Sequence, residues 1–162
     1  MAIDKVKAFF AAYGLCNRIM EFSVSSATVE LAAAAIGTEG ARIAKSLTFR
    51  GADGQCLMIV TAGDTKIDNS KFKHTFGCKA KMLSADEVLA ETGHAVGGVC
   101  PFALPQSGVS VYLDTSMKRF ATVFPACGSA NSAIELDLDS LFQYANAIDW
   151  VDVCKIPEPL QN

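Results

Sequence analysis

The segment Gly97-Gly98-Val99-Cys100-Pro101 is the most unusual local feature of the sequence. Paired glycines reach backbone conformations that are closed to other residues, and they let a ligand approach the main chain. Pro101 restricts the backbone at the far end of the segment. A loop of this kind can direct backbone N–H groups at a developing oxyanion. A plain surface turn is the alternative, and the loop taken alone favours it.

Lys45 is a second residue that could take part in chemistry, because its neighbours Ile43, Ala44 and Leu47 are apolar. A lysine in such surroundings either extends its ammonium group to solvent along its aliphatic stem or has an anionic partner. A bound phosphate or carboxylate could be that partner. For the residue taken alone, extension to solvent is the simpler interpretation.

A third segment, Gly128-Ser129-Ala130-Asn131-Ser132, carries small polar side chains between two predicted strands. These side chains could cap a helix, form a turn or contact a ligand, and a tight connection is the simplest of these explanations. Cys100 could in addition pair with His94 as nucleophile and base. Only the spacing of the two residues along the chain suggests that pairing.

Several familiar catalytic motifs are absent from the sequence. It has neither a Gly-x-Ser-x-Gly elbow nor a phosphate loop of the G-x-x-x-x-G-K-[ST] type. It has 2 histidines and 6 cysteines, and these form neither a C-x-x-C pair nor a clustered spacing suited to zinc. We therefore predict no metal and no cofactor, and we expect the thiols to be reduced and mostly buried.

Helix and strand signals alternate along the chain, which predicts a single mixed α/β (α+β) domain over residues 1–162 with a frayed tail over 156–162. Because the strands are short and not all joined by helices, we expect a mixed sheet curled toward a partial barrel, with helices around it. The predicted helices are Asp4–Tyr13, a segment that begins within Ser25–Thr28 and ends at Gly37, Asp68–Phe76, Ser84–Thr92 with a capping box, and Asp137–Ala147. The predicted strands are Arg18–Phe22, Ser46–Arg50 and Gln55–Thr61 joined by a hairpin, Val109–Leu113, Thr122–Ala126, Ala133–Leu136 and Trp150–Cys154.

Composition and charge exclude several classes of protein. The residues are 51% hydrophobic and 19% charged, as in a globular domain, and no apolar run is long enough to span a bilayer. The N-terminal segment lacks the layout of a signal peptide, so we expect a cytoplasmic protein that contacts no membrane. A net charge of −3 argues against tight binding to long nucleic acid such as DNA. The lysine-rich segment Lys66–Lys81 could form a local nucleic-acid contact or, with equal weight, a solvated helix face.

Three segments occur in a characteristic order along the chain: Ala41–Leu47, Val96–Phe102 and Gly128–Ile134. Further matching segments are Thr28–Glu30, Gly51–Gly54 and Val111–Asp114. Together they resemble the YbaK/EbsC-like family, which includes the editing domain of bacterial prolyl-tRNA synthetases and its free-standing relatives. The combination of a lysine with a downstream Gly-x-x-x-Pro loop is the most specific part of the resemblance. It covers roughly residues 15–154, nearly the whole chain.

This resemblance implies a mixed α/β fold around a curled sheet, and it implies hydrolysis of the ester that joins a small amino acid to the terminal adenosine of a tRNA. Lys45 matches the family's required lysine, which holds the nucleotide end, and Gly97–Pro101 matches the loop around the scissile carbonyl. The substrate would be a tRNA, such as tRNA(Pro), that carries Cys, Ala, Ser or Thr at its 3′ end. A synthetase such as prolyl-tRNA synthetase could hold that tRNA. The residues expected to bind the substrate are Thr28, Gly128, Ser129, Asn131 and Ser132.

Three positions depart from the family pattern. Ser132 stands where many relatives carry a histidine, Ala133 where the YbaK branch has an acidic residue, and Ser23 where many relatives have another histidine. These departures leave the identity of the removed amino acid open. They also leave two other functions open: a non-catalytic protein that binds aminoacyl-tRNA or nucleotide, and a hydrolase that uses Cys100 as its nucleophile.

Overall fold

The computed structural model describes residues 2–158 and shows an α+β fold, in which helices surround a six-stranded sheet curled into a half-barrel. The predicted fold class is therefore confirmed. The helices are α1 (Ala2–Ala11), α2 (Val29–Ile36), α3 (Asn69–Phe76), α4 (Ala85–Thr92) and α5 (Leu138–Tyr144). The strands are β1 (Met20–Glu21), β2 (Ile43–Arg50), β3 (Cys56–Ala62), β4 (Lys66–Ile67), β5 (Val109–Asp114), β6 (Thr122–Pro125), β7 (Ser132–Ala133), β8 (Leu136–Asp137), β9 (Asp149–Val151) and β10 (Cys154–Lys155).

The central sheet has the strand order β8-β6-β2-β3-β5-β9. The β2–β3 hairpin at its centre is antiparallel, while β6 pairs with β2, and β5 with β3, in parallel. Strand β9 extends the sheet parallel to β5, and β8 forms the other edge antiparallel to β6. Two short antiparallel ribbons, β1 with β7 and β4 with β10, lie outside this sheet. The sheet is therefore mixed, as predicted.

Strand β3 is buried along its whole length and separates two apolar clusters. Met58 and Val60 pack in one cluster with Phe10 of α1, whereas Ile59 packs in the other with Phe72 of α3. Successive side chains of a strand alternate between its faces, so a strand covered on both faces must be apolar throughout. The continuous apolar sequence of β3 meets this requirement and anchors its neighbour β2.

The termini of α2 and the start of α4 confirm the local predictions, whereas α5 ends at Tyr144 rather than at Ala147. Thr28 caps α2 by accepting the Leu31 N–H group at 3.2 Å, and Gly37 ends that helix with a φ of +83°. Ser84 and Glu87 form the predicted capping box at the start of α4. Because the cap of α2 fixes where that helix begins, it also fixes the position of the residues just before it.

Strand β2 begins at Ile43 rather than at Ser46, so its predicted start was wrong. Ile43 pairs with Phe124 of the parallel strand β6, and this distant partner extends β2 beyond the segment that its own sequence signals. Lys45 therefore lies inside the strand, opposite Thr61 of β3. As a result, its side chain projects from a rigid sheet rather than from a loop.

Two segments that were each predicted as one strand are split. The prediction for Ala133–Leu136 was wrong because the chain changes partner within it: β7 pairs with β1, and β8 pairs with β6. The prediction for Trp150–Cys154 was wrong because the Val153 N–H group donates to the Asp114 carboxylate at 2.9 Å, and the chain leaves the ladder there. Both interruptions depend on partners that are distant in the sequence.

The chain ends and the first strand differ in detail from the prediction. The first helix spans Ala2–Ala11 rather than Asp4–Tyr13. The strand predicted over Arg18–Phe22 is reduced to β1, because the preceding residues form a 3-10 turn. Residues 156–158 are exposed and lie in no helix or strand, while the rest of the predicted tail, 159–162, lies outside the described residues. No helix within residues 2–158 is long and apolar enough to cross a membrane.

Candidate functional site

A pocket of about 200 Å³ opens beside β2 at the start of α2. Four segments that are distant in the sequence form most of its wall. They are Ser26–Val29 before and within α2, Ile43–Leu47 of β2, the glycine-rich loop at Gly97 and Val99, and Ser132–Ala133 of β7. The three segments singled out in the sequence therefore meet at one cavity, together with Thr28, which was expected to bind substrate.

Lys45 supplies the positive charge of this pocket. Its side chain is half-buried, and its Nζ donates a hydrogen bond to the backbone carbonyl of Thr65. Burial lowers the pKa of Lys45 below its ordinary value, because desolvation disfavours the charged form. The nearby Asp64 carboxylate accepts two hydrogen bonds from Arg119, at 2.6 and 2.9 Å. Lys45 forms no salt bridge with any described residue, so its charge is available to an anionic ligand.

A buried hydroxyl network lies behind Lys45. Thr61 Oγ1 lies 2.8 Å from Thr65 Oγ1 and 3.1 Å from Ser116 Oγ. Thr65 Oγ1 also donates to the Ala62 carbonyl at 2.8 Å. Satisfied polar networks of this kind are rigid in a protein interior, so the carbonyl that orients Lys45 is held in place. Sequence reasoning missed these residues, because single threonines and serines next to an apolar strand carry no local signal of their partners.

Two buried hydroxyl groups in the pocket wall, Ser26 Oγ and Ser46 Oγ, have no hydrogen-bond partner among the described residues. Ser26 is only 8% exposed. Buried polar groups are normally paired, and an unpaired one costs about 1–3 kcal/mol. Two such groups on one small pocket therefore point to a polar ligand. The sequence indicated Ser26 only as a helix-cap candidate and Ser46 only as the start of a strand.

The glycine-rich loop packs its backbone against the third polar segment. A Cβ atom on Gly98 would lie 2.7 Å from the Ser129 nitrogen and 2.9 Å from the Gly128 carbonyl carbon, closer than side-chain carbons approach a backbone. Gly97 serves a different purpose, since its φ of +99° is a conformation that favours glycine. The loop is thus one wall of a packed site rather than the plain surface turn considered above.

The residues of this loop differ in their access to the pocket. The Gly98 N–H group donates to the Ala95 carbonyl at 3.0 Å and is already satisfied. Val99 lines the pocket with Gly97, and its N–H group has no hydrogen-bond acceptor within residues 2–158. Pro101 lines a separate cavity on the side of α1 and α5. A backbone donor to a ligand in the pocket would therefore come from Val99 rather than from Gly98.

Within the polar segment Gly128–Ser132, only Ser132 lines the pocket. Its Oγ lies 2.6 Å from Ser129 Oγ, and Ser129 donates onward to Asn131 Oδ1 at 3.0 Å. The Asn131 side-chain amide donates to the Phe22 carbonyl at 3.0 Å, which ties the segment to the residues after β1. Gly128 turns the chain with a φ of +89°. Ser129, Asn131 and Gly128 thus brace the pocket wall from outside it.

Cys100 and His94 do meet in space, with Sγ 3.5 Å from Nε2. Both side chains are buried, and burial raises the pKa of the Cys100 thiol to about 12. His94 Nε2 lies 2.8 Å from the Phe102 carbonyl, which accepts only from a protonated nitrogen, so Nε2 cannot also accept the thiol proton. The pair therefore lacks the exposed, low-pKa thiolate that a nucleophile requires.

The described residues show no arrangement suited to metal binding. No group of three or more His, Cys, Asp or Glu side chains within residues 2–158 could hold a metal ion. The six cysteines are unpaired, and Cys56, Cys100, Cys127 and Cys154 are buried. Burial raises the pKa of each of these four thiols, so they behave as small apolar side chains.

Buried His94 should make the stability of the protein depend on pH. Its pKa is lowered from the ordinary value of 6.5, chiefly by burial, and its Nδ1 has no partner among the described residues. Between the lowered folded-state pKa and pH 6.5, the unfolded chain binds a proton that the folded chain does not. As far as His94 is concerned, the free energy of unfolding should therefore be constant above about pH 6.5. It should decrease as the pH falls from 6.5 toward the lower pKa of His94 in the folded protein. Urea denaturation at several pH values between about 7.5 and 5 measures this slope.

His94→Gln is the matched variant, because glutamine can donate to the Phe102 carbonyl but does not titrate. Its free energy of unfolding should lose the pH-dependent part over the same interval. An equal slope in both proteins would show that His94 is not the group responsible.

The fold and the pocket together define the class of protein: a small α+β domain with a compact pocket lined by one lysine and by two hydroxyl groups without a described partner. Comparison of sequences then identifies the family. The profile of the aminoacyl-tRNA editing domain matches residues 24–144, which include all four pocket segments, and the chain belongs to that family. The predicted resemblance is therefore confirmed.

Relatives of this chain include both separate proteins and parts of synthetases. Uncharacterized protein YwhH of Bacillus subtilis (strain 168) is 55% identical over 155 residues, which cover 96% of this chain and 98% of that protein. A proline–tRNA ligase of Pelobacter propionicus is 32% identical over 90 residues, or 55% of this chain and 16% of the ligase. A proline–tRNA ligase of Bacillus licheniformis is 26% identical over 132 residues, or 81% of this chain and 22% of the ligase. The chain thus corresponds to a minor part of the two ligases.

Solved structures share the fold over nearly the whole chain. One that is described as a candidate trans-editing enzyme for prolyl-tRNA synthetase has a TM-score of 0.83 and 25% identity, and the match covers 95% of this chain and 97% of that chain. Another, described as a hypothetical protein, has a TM-score of 0.82 and 28% identity over 93% of this chain and 99% of that chain. The chain is therefore an editing domain related to those of prolyl-tRNA editing.

Proposed function

We propose that this protein is a trans-editing hydrolase that cleaves the ester of a mischarged aminoacyl-tRNA in the cytoplasm. The observation that carries the proposal is Lys45, a half-buried lysine without a salt bridge to any described residue, in a small pocket whose other walls include two hydroxyl groups without a described partner. In an aminoacyl ester of a terminal nucleotide, the phosphate can serve as the anionic partner of Lys45. The polar atoms of the aminoacyl group can pair with the two hydroxyl groups. Membership of the aminoacyl-tRNA editing family supports the same conclusion.

In the proposed reaction, water adds to the ester carbonyl and forms a tetrahedral oxyanion. The Val99 N–H group donates to this oxyanion, and one such donor typically contributes about 3 kcal/mol to lowering the barrier. The intermediate then expels the ribose oxygen, which takes up the proton released by the water. The products are a free amino acid and a tRNA with an intact terminal hydroxyl group.

Lys45 and the pocket hydroxyls position the substrate for this reaction. The ammonium group of Lys45 holds the terminal nucleotide, while Ser26 and Ser46 hydrogen-bond the polar atoms of the aminoacyl group. Holding the reacting groups in this way lowers the barrier by proximity. The described pocket wall contains no carboxylate or histidine that could serve as a general base. The neighbouring ribose hydroxyl or the α-amine of the substrate therefore orients the attacking water.

The size of the pocket favours a small amino acid. A volume of about 200 Å³ must hold the aminoacyl group between the side chains of Val29, Ala32 and Phe124. One additional methylene changes binding in such a site by about 1–3 kcal/mol. We propose that the pocket admits Cys, Ala, Ser or Thr and excludes proline by its shape. The substrate would then be mischarged tRNA(Pro), with a synthetase such as prolyl-tRNA synthetase holding the tRNA.

Release of amino acid from a panel of charged tRNAs tests this proposal. The panel is tRNA(Pro) carrying Ala, Ser, Cys or Thr, with Pro-tRNA(Pro) as the control. We expect selective deacylation of one or two of the small species. Binding of the charged tRNA without release would contradict the hydrolase and support a non-catalytic binding protein. Equal hydrolysis of Pro-tRNA(Pro) would contradict the role of pocket size.

Replacing Cys100 with alanine separates this mechanism from a cysteine hydrolase. The thiol is fully buried and its pKa is raised to about 12, so we expect Cys100→Ala to keep deacylation within about threefold of the wild type. The smaller side chain should cost about 1 kcal/mol of unfolding free energy through the cavity that it leaves. Single-turnover deacylation kinetics, measured where both proteins are folded, decide the point. A loss of activity of 10³-fold or more, as for a true nucleophile, would overturn the proposed mechanism.

A further inference from the structure

A surface groove continues from the Lys45 pocket across β4 to α3. Its first part is lined by Lys45 and Leu47 together with Lys66, Asn69, Ala80 and Met82. Its second part is lined by Asn69, Ser70, Lys73, Lys79 and Ala80. The two parts share Asn69 and Ala80, and Lys45 belongs to both the first part and the pocket. We call the surface formed by these two parts the lysine groove, after its exposed lysines Lys66, Lys73 and Lys79.

The lysine groove carries unpaired positive charge. Lys66, Lys73 and Lys79 are exposed, and none of them forms a salt bridge with a described residue. No aspartate or glutamate lines either part of the groove. The protein has a net charge of −3, so a surface that carries lysines and no acidic side chain is more positive than the protein as a whole. Its charge is complementary to a phosphate backbone.

Lys71 lies on helix α3 like Lys73, but it is paired with an acidic residue. Its Nζ lies 3.0 Å from the Asp152 carboxylate and 3.3 Å from the Cys154 carbonyl. It lines neither part of the lysine groove. The lysines of this segment are therefore not equivalent: some are paired on one side of α3, and others are left free along the groove.

An apolar surface lies between the charged residues and the pocket. Met82 is 60% exposed and lines the groove beside Leu47. A thioether makes favourable contacts with aromatic rings, and a nucleobase presents such a ring. In single-strand sites, positively charged grooves track the backbone. The groove thus offers one surface for a base and several charges for phosphates.

We propose that the lysine groove binds the single-stranded 3′ end of the tRNA, namely the nucleotides that precede the terminal adenosine. Lys66, Lys73 and Lys79 contact their phosphates, and Met82 contacts a base. This inference rests on the proposed function, in which the terminal nucleotide lies at Lys45. A single strand is the occupant because a pocket of about 200 Å³ can be entered only by a chain end that has left the duplex.

The test compares two substrates that carry the same amino acid: the full aminoacyl-tRNA and the aminoacyl ester of adenosine alone. In the variant Lys66→Ala/Lys73→Ala/Lys79→Ala, we expect kcat/KM for the tRNA to fall at least tenfold, mainly through KM. Activity toward the adenosine ester should stay within about twofold, because that substrate does not reach the groove. For three phosphate contacts on a single strand, the slope of log KM against log salt should decrease by about 2.

The matched control is Lys5→Ala/Lys71→Ala/Lys118→Ala, which removes the same charge from residues outside the pocket and the groove. It should change kcat/KM for the tRNA less than threefold. An equal loss in both triple variants, or an equal loss for both substrates, would overturn the groove as the binding site for the 3′ end.

An RNA-binding experiment tests the groove separately from hydrolysis, and it applies even if no hydrolysis is found. A fluorescent single-stranded RNA ending in CCA should bind the wild type more tightly than the groove variant, at low salt. A blunt duplex of equal length should compete at least tenfold more weakly. Failure of hydrolysis with groove-dependent binding would reject the proposed enzyme but keep the groove. Competition by the duplex as effective as by the single strand would reject the groove as a single-strand site.

Discussion

Replacing Lys45 with alanine is expected to reduce kcat/KM for deacylation by about 10²- to 10³-fold without loss of stability. The substitution removes the cation of the pocket, and the loss of one partner of a buried, hydrogen-bonded charge pair typically costs about 3–4 kcal/mol. Burial already lowers the pKa of Lys45, which means that the charged form is less favourable in the free protein than in water. Removing it should therefore leave the free energy of unfolding unchanged or slightly higher. Steady-state kinetics and urea denaturation measure the two effects.

Lys45→Met is the matched variant, because methionine keeps much of the aliphatic stem and loses the charge. It should be as inactive as Lys45→Ala if the ammonium group holds the terminal nucleotide. Activity near that of the wild type in Lys45→Met would show that packing by the stem, and not its charge, is the contribution of this residue. Normal activity in both variants would remove Lys45 from the site.

Replacing Gly98 with alanine is expected to cost about 3 kcal/mol of unfolding free energy and to lower kcat as well. The added Cβ would lie 2.7 Å from the Ser129 nitrogen and 2.9 Å from both the Gly128 and Ser129 carbonyl carbons. These are backbone atoms that cannot rotate away, so the two loops must separate, and overpacking of this kind typically costs about 1–3 kcal/mol or more. Separation would also move Val99, and a displacement of about 1 Å at a site can lower the rate about 10²-fold.

Gly51→Ala is the control for this experiment. Its added Cβ would lie 2.9 Å from Cγ of Gln55, a flexible side chain in the hairpin that can move away. We expect it to cost less than about 1 kcal/mol and to leave activity unchanged. Denaturant unfolding and deacylation kinetics of both variants measure the difference. If Gly98→Ala were as stable and as active as Gly51→Ala, the close contact between the two loops would not support the site.

These two experiments separate two parts of the site that act differently. Lys45 is expected to affect catalysis without affecting stability, whereas Gly98 is expected to affect both. The Cys100→Ala variant should affect mainly stability. A set of results in this pattern would identify a pocket that binds substrate through Lys45 and is shaped by the packing of two glycine-containing loops.

Much of the local structure follows from the sequence alone. Thr28, Ser84 and Gly37 begin or end helices as predicted, because a cap depends on residues within one turn of the chain. The apolar run Gln55–Thr61 predicted the strand β3, because a continuous apolar segment is typical of a buried strand. The resemblance in three segments led to the correct family, and it brought Lys45 and the glycine-rich loop into one hypothesis before any contact was known.

The tertiary structure decided what each residue of the site can do. It showed that Lys45 lies inside a strand, that Gly98 has a satisfied N–H group, and that the pocket contains two unpaired hydroxyls, from Ser26 and Ser46. It also showed that the Cys100 side chain is fully buried, which disfavours a nucleophilic thiolate. The physical reason is that burial and hydrogen-bond pairing depend on residues brought together from distant parts of the chain. The sequence by itself determined the family and the caps of α2 and α4, whereas several strand limits, access, pKa and pairing depended on how β2, the two loops and the start of α2 packed around one pocket.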